Sequence, residues 1–95
     1  MSRIVTIGAA QMGPIAAHES RTQVVQRLIA HLHEASRRGC DLVVFPELTL
    51  TTFFPRWYTE DQAEIDQWFE TEMPGPETQA LFDAAAKLQI GFHLG

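Results

Sequence analysis

The fold of this chain is decided by residues 41–47, which read Asp-Leu-Val-Val-Phe-Pro-Glu. Four apolar residues in succession predict a strand that is buried on both faces. Pro46 has no N–H and a fixed φ, so the sheet ladder should stop there and leave Glu47 at the carboxyl end of the strand. Ligands of α/β proteins bind at that edge of the sheet. Glu47 is therefore a candidate functional residue, although many strands end in Pro-Glu with a carboxylate that is only solvated.

The first half of the chain is predicted to form a strand, a helix and a second strand. Residues 4–10, Ile-Val-Thr-Ile-Gly-Ala-Ala, suit a first central strand that its neighbours approach closely. Ser20 and Gln23 have the spacing of a capping box, and apolar residues then recur at helical spacing. Gly39 can adopt the left-handed conformation that ends a helix. These elements form a βαβ unit, whose crossover should be right-handed.

The second half is predicted to contain an ordered loop, two helices and a strand. Residues 48–58 are rich in aromatic and β-branched residues but have no sustained period, which indicates the loop. Thr59 with Gln62 offers a helix cap, and Pro76 suits the first position of the next helix. Residues 90–94 begin a further strand. Because a strand so delivered normally continues into more sheet, we expect the whole chain to be the N-terminal part of one longer, incomplete domain.

Composition excludes several classes of protein. With 45% hydrophobic residues the chain is too apolar to be disordered. A formal charge of −5 with only seven Lys and Arg cannot form the basic stripe that binds nucleic acid. No window reaches the roughly 18 uninterrupted apolar residues of a membrane span. A single cysteine fits a reducing compartment, so we expect a cytoplasmic protein.

Three features together resemble the start of a nitrilase-superfamily amidohydrolase. They are the first strand ending near Gln11, the Arg-Gly-Cys-Asp-Leu-Val-Val-Phe-Pro-Glu run at 38–47, and the Thr-Thr-Phe-Phe-Pro-Arg-Trp loop at 51–57. Within that superfamily, residues 72–76 (Glu-Met-Pro-Gly-Pro) and 90–95 (Ile-Gly-Phe-His-Leu-Gly) most resemble the N-terminal part of N-carbamoyl-D-amino-acid amidohydrolases. The resemblance covers essentially the whole chain.

The resemblance implies a four-layer α-β-β-α sandwich and a Glu-Lys-Cys triad. Glu47 aligns with the glutamate, thought to be the general base, while the lysine and the nucleophilic cysteine lie outside this chain. It implies hydrolysis of N-carbamoyl-D-amino acids, no metal or other cofactor, and a homo-oligomer. The charge and hydropathy of the chain argue separately against a nucleic-acid or membrane partner. Another amidase or a ureidopropionase is the alternative within the superfamily. The chain by itself could instead be a non-catalytic piece that packs with other segments.

Two reactive residues of the chain do not suit the missing triad positions. Cys40 is seven residues before Glu47, which is about 23 Å along an extended chain, so no proton can pass directly between them. Cys40 is better explained as a small packing residue. Lys87, the only lysine, falls in the last turn of the third predicted helix, where the helix dipole favours a cation.

The remaining candidates have structural explanations as well as functional ones. His31 and His33 are two residues apart on a helix and point to different faces, so their spacing does not indicate a metal site. Phe53 closely follows Glu47 and is a candidate pocket wall that binds substrate, although such aromatic residues more often form core or subunit contacts. His93 could be buried or could approach a pocket. The acidic run over 60–66 is most simply a solvated helix face.

Overall fold

The computed structural model describes residues 2–95. It contains three strands, three α-helices and one short 3₁₀ helix. In chain order these are β1 (Ile7–Ala9), α1 (Arg21–Arg37), β2 (Leu42–Val44), the 3₁₀ helix (Phe54–Arg56), α2 (Gln62–Asp66), α3 (Gln79–Leu88) and β3 (Gly91–His93). None of the helices described in residues 2–95 is both long enough and apolar enough to cross a membrane.

The three strands form one parallel sheet in the order β1-β2-β3. β2 is central, and Val44 is in register with Ala9 of β1 and His93 of β3. This arrangement confirms the predicted α/β class and the β1-α1-β2 unit. It is consistent with part of a nitrilase-like α-β fold.

Helix α1 forms because local sequence signals agree at both of its ends. The Ser20 hydroxyl accepts from the Gln23 N–H at 3.1 Å, and the Gln23 side chain accepts from the Ser20 N–H at 2.8 Å, so the predicted capping box is confirmed. Gly39 follows the helix with φ +77°, and the Cys40 N–H then donates to the Ala35 carbonyl at 3.0 Å. This left-handed residue turns the chain out of the helix and into β2.

The core lies between one face of the sheet and helices α1 and α3. Val43 and Phe45 lie on that face with only 1% and 2% of their surface exposed. They belong to one cluster with the buried residues of the two helices, namely Val24, Val25, Leu28, Leu32, Ala35, Leu81 and Ala85. Burial of each large aliphatic side chain contributes about 1.5–3 kcal/mol, so this single layer of contacts holds the helices on the sheet.

The opposite face of the sheet is bare, which corrects the expectation that β2 is buried on both faces. Val5, Ile7 and Val44 are 47%, 59% and 36% exposed. The reason is that successive strand residues point to opposite faces, and the helices cover only the face that carries Val43. Within residues 2–95 nothing packs over the other face.

Two helix starts differ from the sequence predictions. Asp61, rather than Thr59, caps α2, because its carboxylate accepts from the Ala63 N–H at 2.9 Å. Helix α3 begins at Gln79 rather than at Pro76. The intervening residues form a turn in which the buried Thr78 hydroxyl accepts from the Gly75 N–H at 2.8 Å. In both places a hydrogen bond between a side chain and nearby backbone makes the helix start later than the sequence pattern predicted.

Candidate active site

Glu47 stands at the carboxyl edge of the sheet, as the sequence predicts. The last ladder bond before it runs from the Phe45 N–H to the His93 carbonyl of β3, at 3.0 Å. Pro46 has no N–H with which to continue the ladder. Glu47 then begins a turn with its side chain exposed. The strand therefore delivers a carboxylate to the edge where α/β proteins bind their ligands.

Glu47 lines a cleft with a volume of about 480 Å³. One wall comes from the end of β1 and the loop after it, residues 9–15, and the other comes from the Pro46–Phe53 segment. Of the described residues that line this cleft, Glu47 is the only one with an ionisable side chain. The four ion pairs among residues 2–95 do not include it. Among the described residues, this carboxylate therefore lines the cleft without an ion-pair partner.

The turn that carries Glu47 has an unusual backbone. Leu48 has φ +50°, in the left-handed region that few non-glycine residues adopt. The buried Thr49 hydroxyl donates to the Pro46 carbonyl, and the Thr49 N–H donates to the Gly95 carbonyl at 3.3 Å. Strained residues of this kind cluster at functional sites, where the surrounding structure holds them in place.

The opposite wall of the cleft is held by Arg27 of α1. Its guanidinium donates to the Met12 carbonyl and to the Pro14 carbonyl, the latter at 3.2 Å, and pairs with Glu19 at 3.1 Å. The Ala16 N–H and the Arg27 guanidinium lower the pKa of the Glu19 carboxyl, since both stabilise its charged form. Arg27 therefore links helix α1 to the loop that faces Glu47.

Phe53 lines the same cleft and is 56% exposed. The neighbouring Phe54 is used differently: its ring stacks on Trp68 at 5.9 Å and meets the edge of Phe69 at 5.7 Å. Of the two adjacent phenylalanines, Phe54 thus anchors the loop to the segment after α2. Phe53 takes no part in this cluster and remains a wall of the cleft.

Cys40 and Lys87 lie outside this cleft. Cys40 precedes β2, at the other end of the strand from Glu47, and lines a separate hollow of about 310 Å³ together with His31 and Glu34. Lys87 is in the last turn of α3. Neither residue is brought to Glu47.

The histidines do not form a cluster. His31 is half-buried, whereas His33 and His93 are exposed. Among the described residues, no group of three or more His, Cys, Asp or Glu side chains could hold a metal ion.

Three residues that shape the cleft were missed by sequence reasoning. Arg27 directly precedes Leu28 and is three residues after Val24, both buried residues of α1, and this placement was a usable signal because an arginine so close to a core needs polar partners. Thr49, three residues after Pro46, has the spacing of a local hydroxyl-to-carbonyl bond. Leu48 gave no signal, because its left-handed conformation depends on packing and not on residue type.

Comparison with known proteins agrees with the α/β fold. Residues 6–95 match the carbon-nitrogen hydrolase family. A curated relative, Nitrilase 2 from an unknown prokaryotic organism, is 32% identical over 99 residues, which cover 96% of this chain and 30% of the relative. The chain thus spans about 30% of the length of that relative. This protein belongs to the carbon-nitrogen hydrolase family, the nitrilase superfamily.

Proposed function

We propose that this chain is the N-terminal part of an N-carbamoyl-D-amino-acid amidohydrolase in which Glu47 is the general base. The observation that carries the proposal is the position of Glu47. It is the sole ionisable lining residue, among those described, of a cleft of about 480 Å³ at the carboxyl edge of the central strand. Family membership supplies the reaction type, hydrolysis of a C–N bond. The resemblance of residues 72–76 and 90–95 supplies the carbamoyl substrate class.

In the proposed reaction, a cysteine from the remainder of the domain attacks the ureido carbon of the substrate. Glu47 takes the proton of the thiol as the C–S bond forms and gives it to the amino nitrogen as the C–N bond to the amino acid breaks, which leaves a carbamoyl-enzyme. Glu47 then accepts a proton from water, which attacks the carbamoyl carbon and releases the cysteine thiolate. The carbamic acid produced decomposes to carbon dioxide and ammonia. A lysine, also from the remainder of the domain, stabilises the developing oxyanion.

Phe53 is proposed as an apolar wall for the bound substrate. It is exposed at the cleft and is not part of the aromatic cluster that Phe54 forms. The half-exposed ring can therefore cover an apolar side chain of a substrate without a change in the packing of the loop.

A second candidate is hydrolysis of a nitrile, favoured by the name of the relative that is 32% identical. An amidase or ureidopropionase acting on another acyl group uses the same three residues. All of these reactions can release ammonia, so the candidate functions are distinguished by the substrate that the protein accepts and not by the product.

The complete enzyme is proposed to act as a cytoplasmic homo-oligomer. Residues 1–95 alone are proposed to be a non-catalytic segment, because two of the three triad residues lie elsewhere.

The test uses the full-length protein that carries this segment, with ammonia release measured for four substrate types. These are N-carbamoyl-D-amino acids, their L enantiomers, simple carboxamides and nitriles. The proposal expects the highest kcat/KM for a D-carbamoyl compound, and no release by residues 1–95 alone. Preference for a nitrile would replace the carbamoylase assignment, and inactivity on all four types would refute the proposed function.

A further inference from the structure

Gly95 lies against the peptide that carries Glu47, at a distance that admits no side chain. A Cβ on Gly95 would lie 2.5 Å from the Pro46 carbonyl oxygen, 3.0 Å from the Pro46 carbonyl carbon and 3.0 Å from the Glu47 Cα. All three are backbone atoms, so no side-chain rotation can relieve the overlap. Any larger residue must therefore move one chain segment away from the other.

Two hydrogen bonds donated by Thr49 hold the Gly95 and Pro46 backbones together at the same contact. The Thr49 N–H donates to the Gly95 carbonyl at 3.3 Å, and the Thr49 hydroxyl donates to the Pro46 carbonyl. Thr49 is almost fully buried, with 1% of its surface exposed. Between these tethered points lie Glu47 and the left-handed Leu48, with φ +50°. The backbone of Glu47 is thus fixed by the segment after β3 and by its own turn.

We propose that Gly95 and Thr49 are positioning residues for Glu47. By allowing direct backbone contact, Gly95 sets where the Glu47 Cα lies, and Thr49 locks the turn in that position. This inference rests on the proposed function of Glu47 as the base. Its consequence is kinetic, because a displacement of about 1 Å in a catalytic group can reduce the rate on the order of 100-fold.

The chain offers a matched control on the same strand. A Cβ on Gly91, at the amino end of β3, would meet only the Leu42 Cδ1 at 3.4 Å and the Asp41 carbonyl at 3.7 Å, which are ordinary contacts. Gly91→Ala therefore makes the same chemical change without touching the turn of Glu47. We expect it to leave activity unchanged.

The experiment compares Gly95→Ala, Thr49→Val and Gly91→Ala in the full-length protein, with and without Glu47→Gln. In the parent, Gly95→Ala should lower kcat at least about tenfold with KM within about threefold. Thr49→Val should lower kcat by a smaller factor, and Gly91→Ala should leave kcat unchanged. In the Glu47→Gln background the further effect of Gly95→Ala should nearly disappear, because residues that act through one group are not additive. A merely structural role would reduce residual activity equally in both backgrounds.

The outcomes separate this inference from the proposed function. Near-normal activity of Glu47→Gln would refute the proposed function and the inference together. An inactive Glu47→Gln with a normal kcat for folded Gly95→Ala would overturn the inference alone. If Gly95→Ala does not fold, Thr49→Val decides: an unchanged kcat in folded Thr49→Val overturns the inference, and a lowered kcat that vanishes in the Glu47→Gln background supports it.

Discussion

Gly8 of β1 and Cys40 should be coupled in stability, because the thiol occupies the space that a side chain at position 8 would need. A Cβ on Gly8 would lie 3.0 Å from the Cys40 Sγ, against an optimum of about 3.5–4.0 Å for such contacts. Overpacking of this kind costs about 1–3 kcal/mol. Replacing glycine by alanine also gains about 0.4–1 kcal/mol by restricting the unfolded chain. The difference between these two contributions predicts that Gly8→Ala destabilises the protein by up to about 2.6 kcal/mol.

Removing the sulfur should reverse the sign of that effect. In Cys40→Ala the next nearest side-chain atom is the Cβ of residue 40, at 3.9 Å, so Gly8→Ala should now stabilise by about 0.4–1 kcal/mol. The assay is urea unfolding of the parent, both single variants and the double variant, and the expected coupling is about 1–3 kcal/mol. Ammonia release by Cys40→Ala should stay within about threefold of the parent. Equal effects of Gly8→Ala in both backgrounds would refute the packing role of Cys40.

Three further predictions concern the cap, the cleft wall and the loop network. Ser20→Ala removes the capping box of α1 and should lower the free energy of unfolding, measured in urea, by about 1 kcal/mol. An unchanged free energy of unfolding would contradict the role of Ser20 as the cap. Phe53→Ala should raise KM about 3- to 10-fold with little change in kcat, and an unchanged KM would remove Phe53 from the substrate site. The Ala16 N–H and Arg27 lower the pKa of Glu19 in the folded protein. The charged carboxylate therefore stabilises the fold above the ordinary pKa of 4.5, and this stabilisation is lost as the pH falls through the lower pKa of the folded state. Glu19→Gln should therefore have a lower thermal midpoint than the parent near pH 7, and the difference should shrink below about pH 4.5; a difference independent of pH would contradict this.

The parts of the fold that sequence predicted are those set by local chemistry. Ser20 and Gln23 are one helical turn apart and cap each other, so their spacing is sufficient to locate the start of α1. Gly39 adopts its left-handed φ because glycine alone does so without strain. Pro46 ends the ladder through its missing N–H. The position of Glu47 at the carboxyl edge follows directly from that last property.

The parts that sequence missed depend on contacts between distant segments. Gly95 touches the Pro46–Glu47 peptide only because β3 pairs beside β2, and no property of Gly-Phe-His-Leu-Gly in isolation indicates that contact. Leu48 is forced into the left-handed region by the tethers on either side of it. The exposure of Val44 was missed for a related reason. An apolar run predicts a buried strand, but it does not indicate whether other segments of residues 2–95 cover one face of the sheet or both.

The central claim is tested most directly by Glu47→Gln in the full-length protein. The substitution keeps the shape of the side chain and much of its hydrogen bonding but removes the ability to accept a proton. Glu77→Gln is the matched control, since Glu77 is an exposed glutamate in the turn before α3. With an N-carbamoyl-D-amino acid as substrate, ammonia release by Glu47→Gln should fall at least about 100-fold while its thermal midpoint and the activity of Glu77→Gln stay close to the parent. Near-normal ammonia release by folded Glu47→Gln would contradict the assignment of Glu47 as the base.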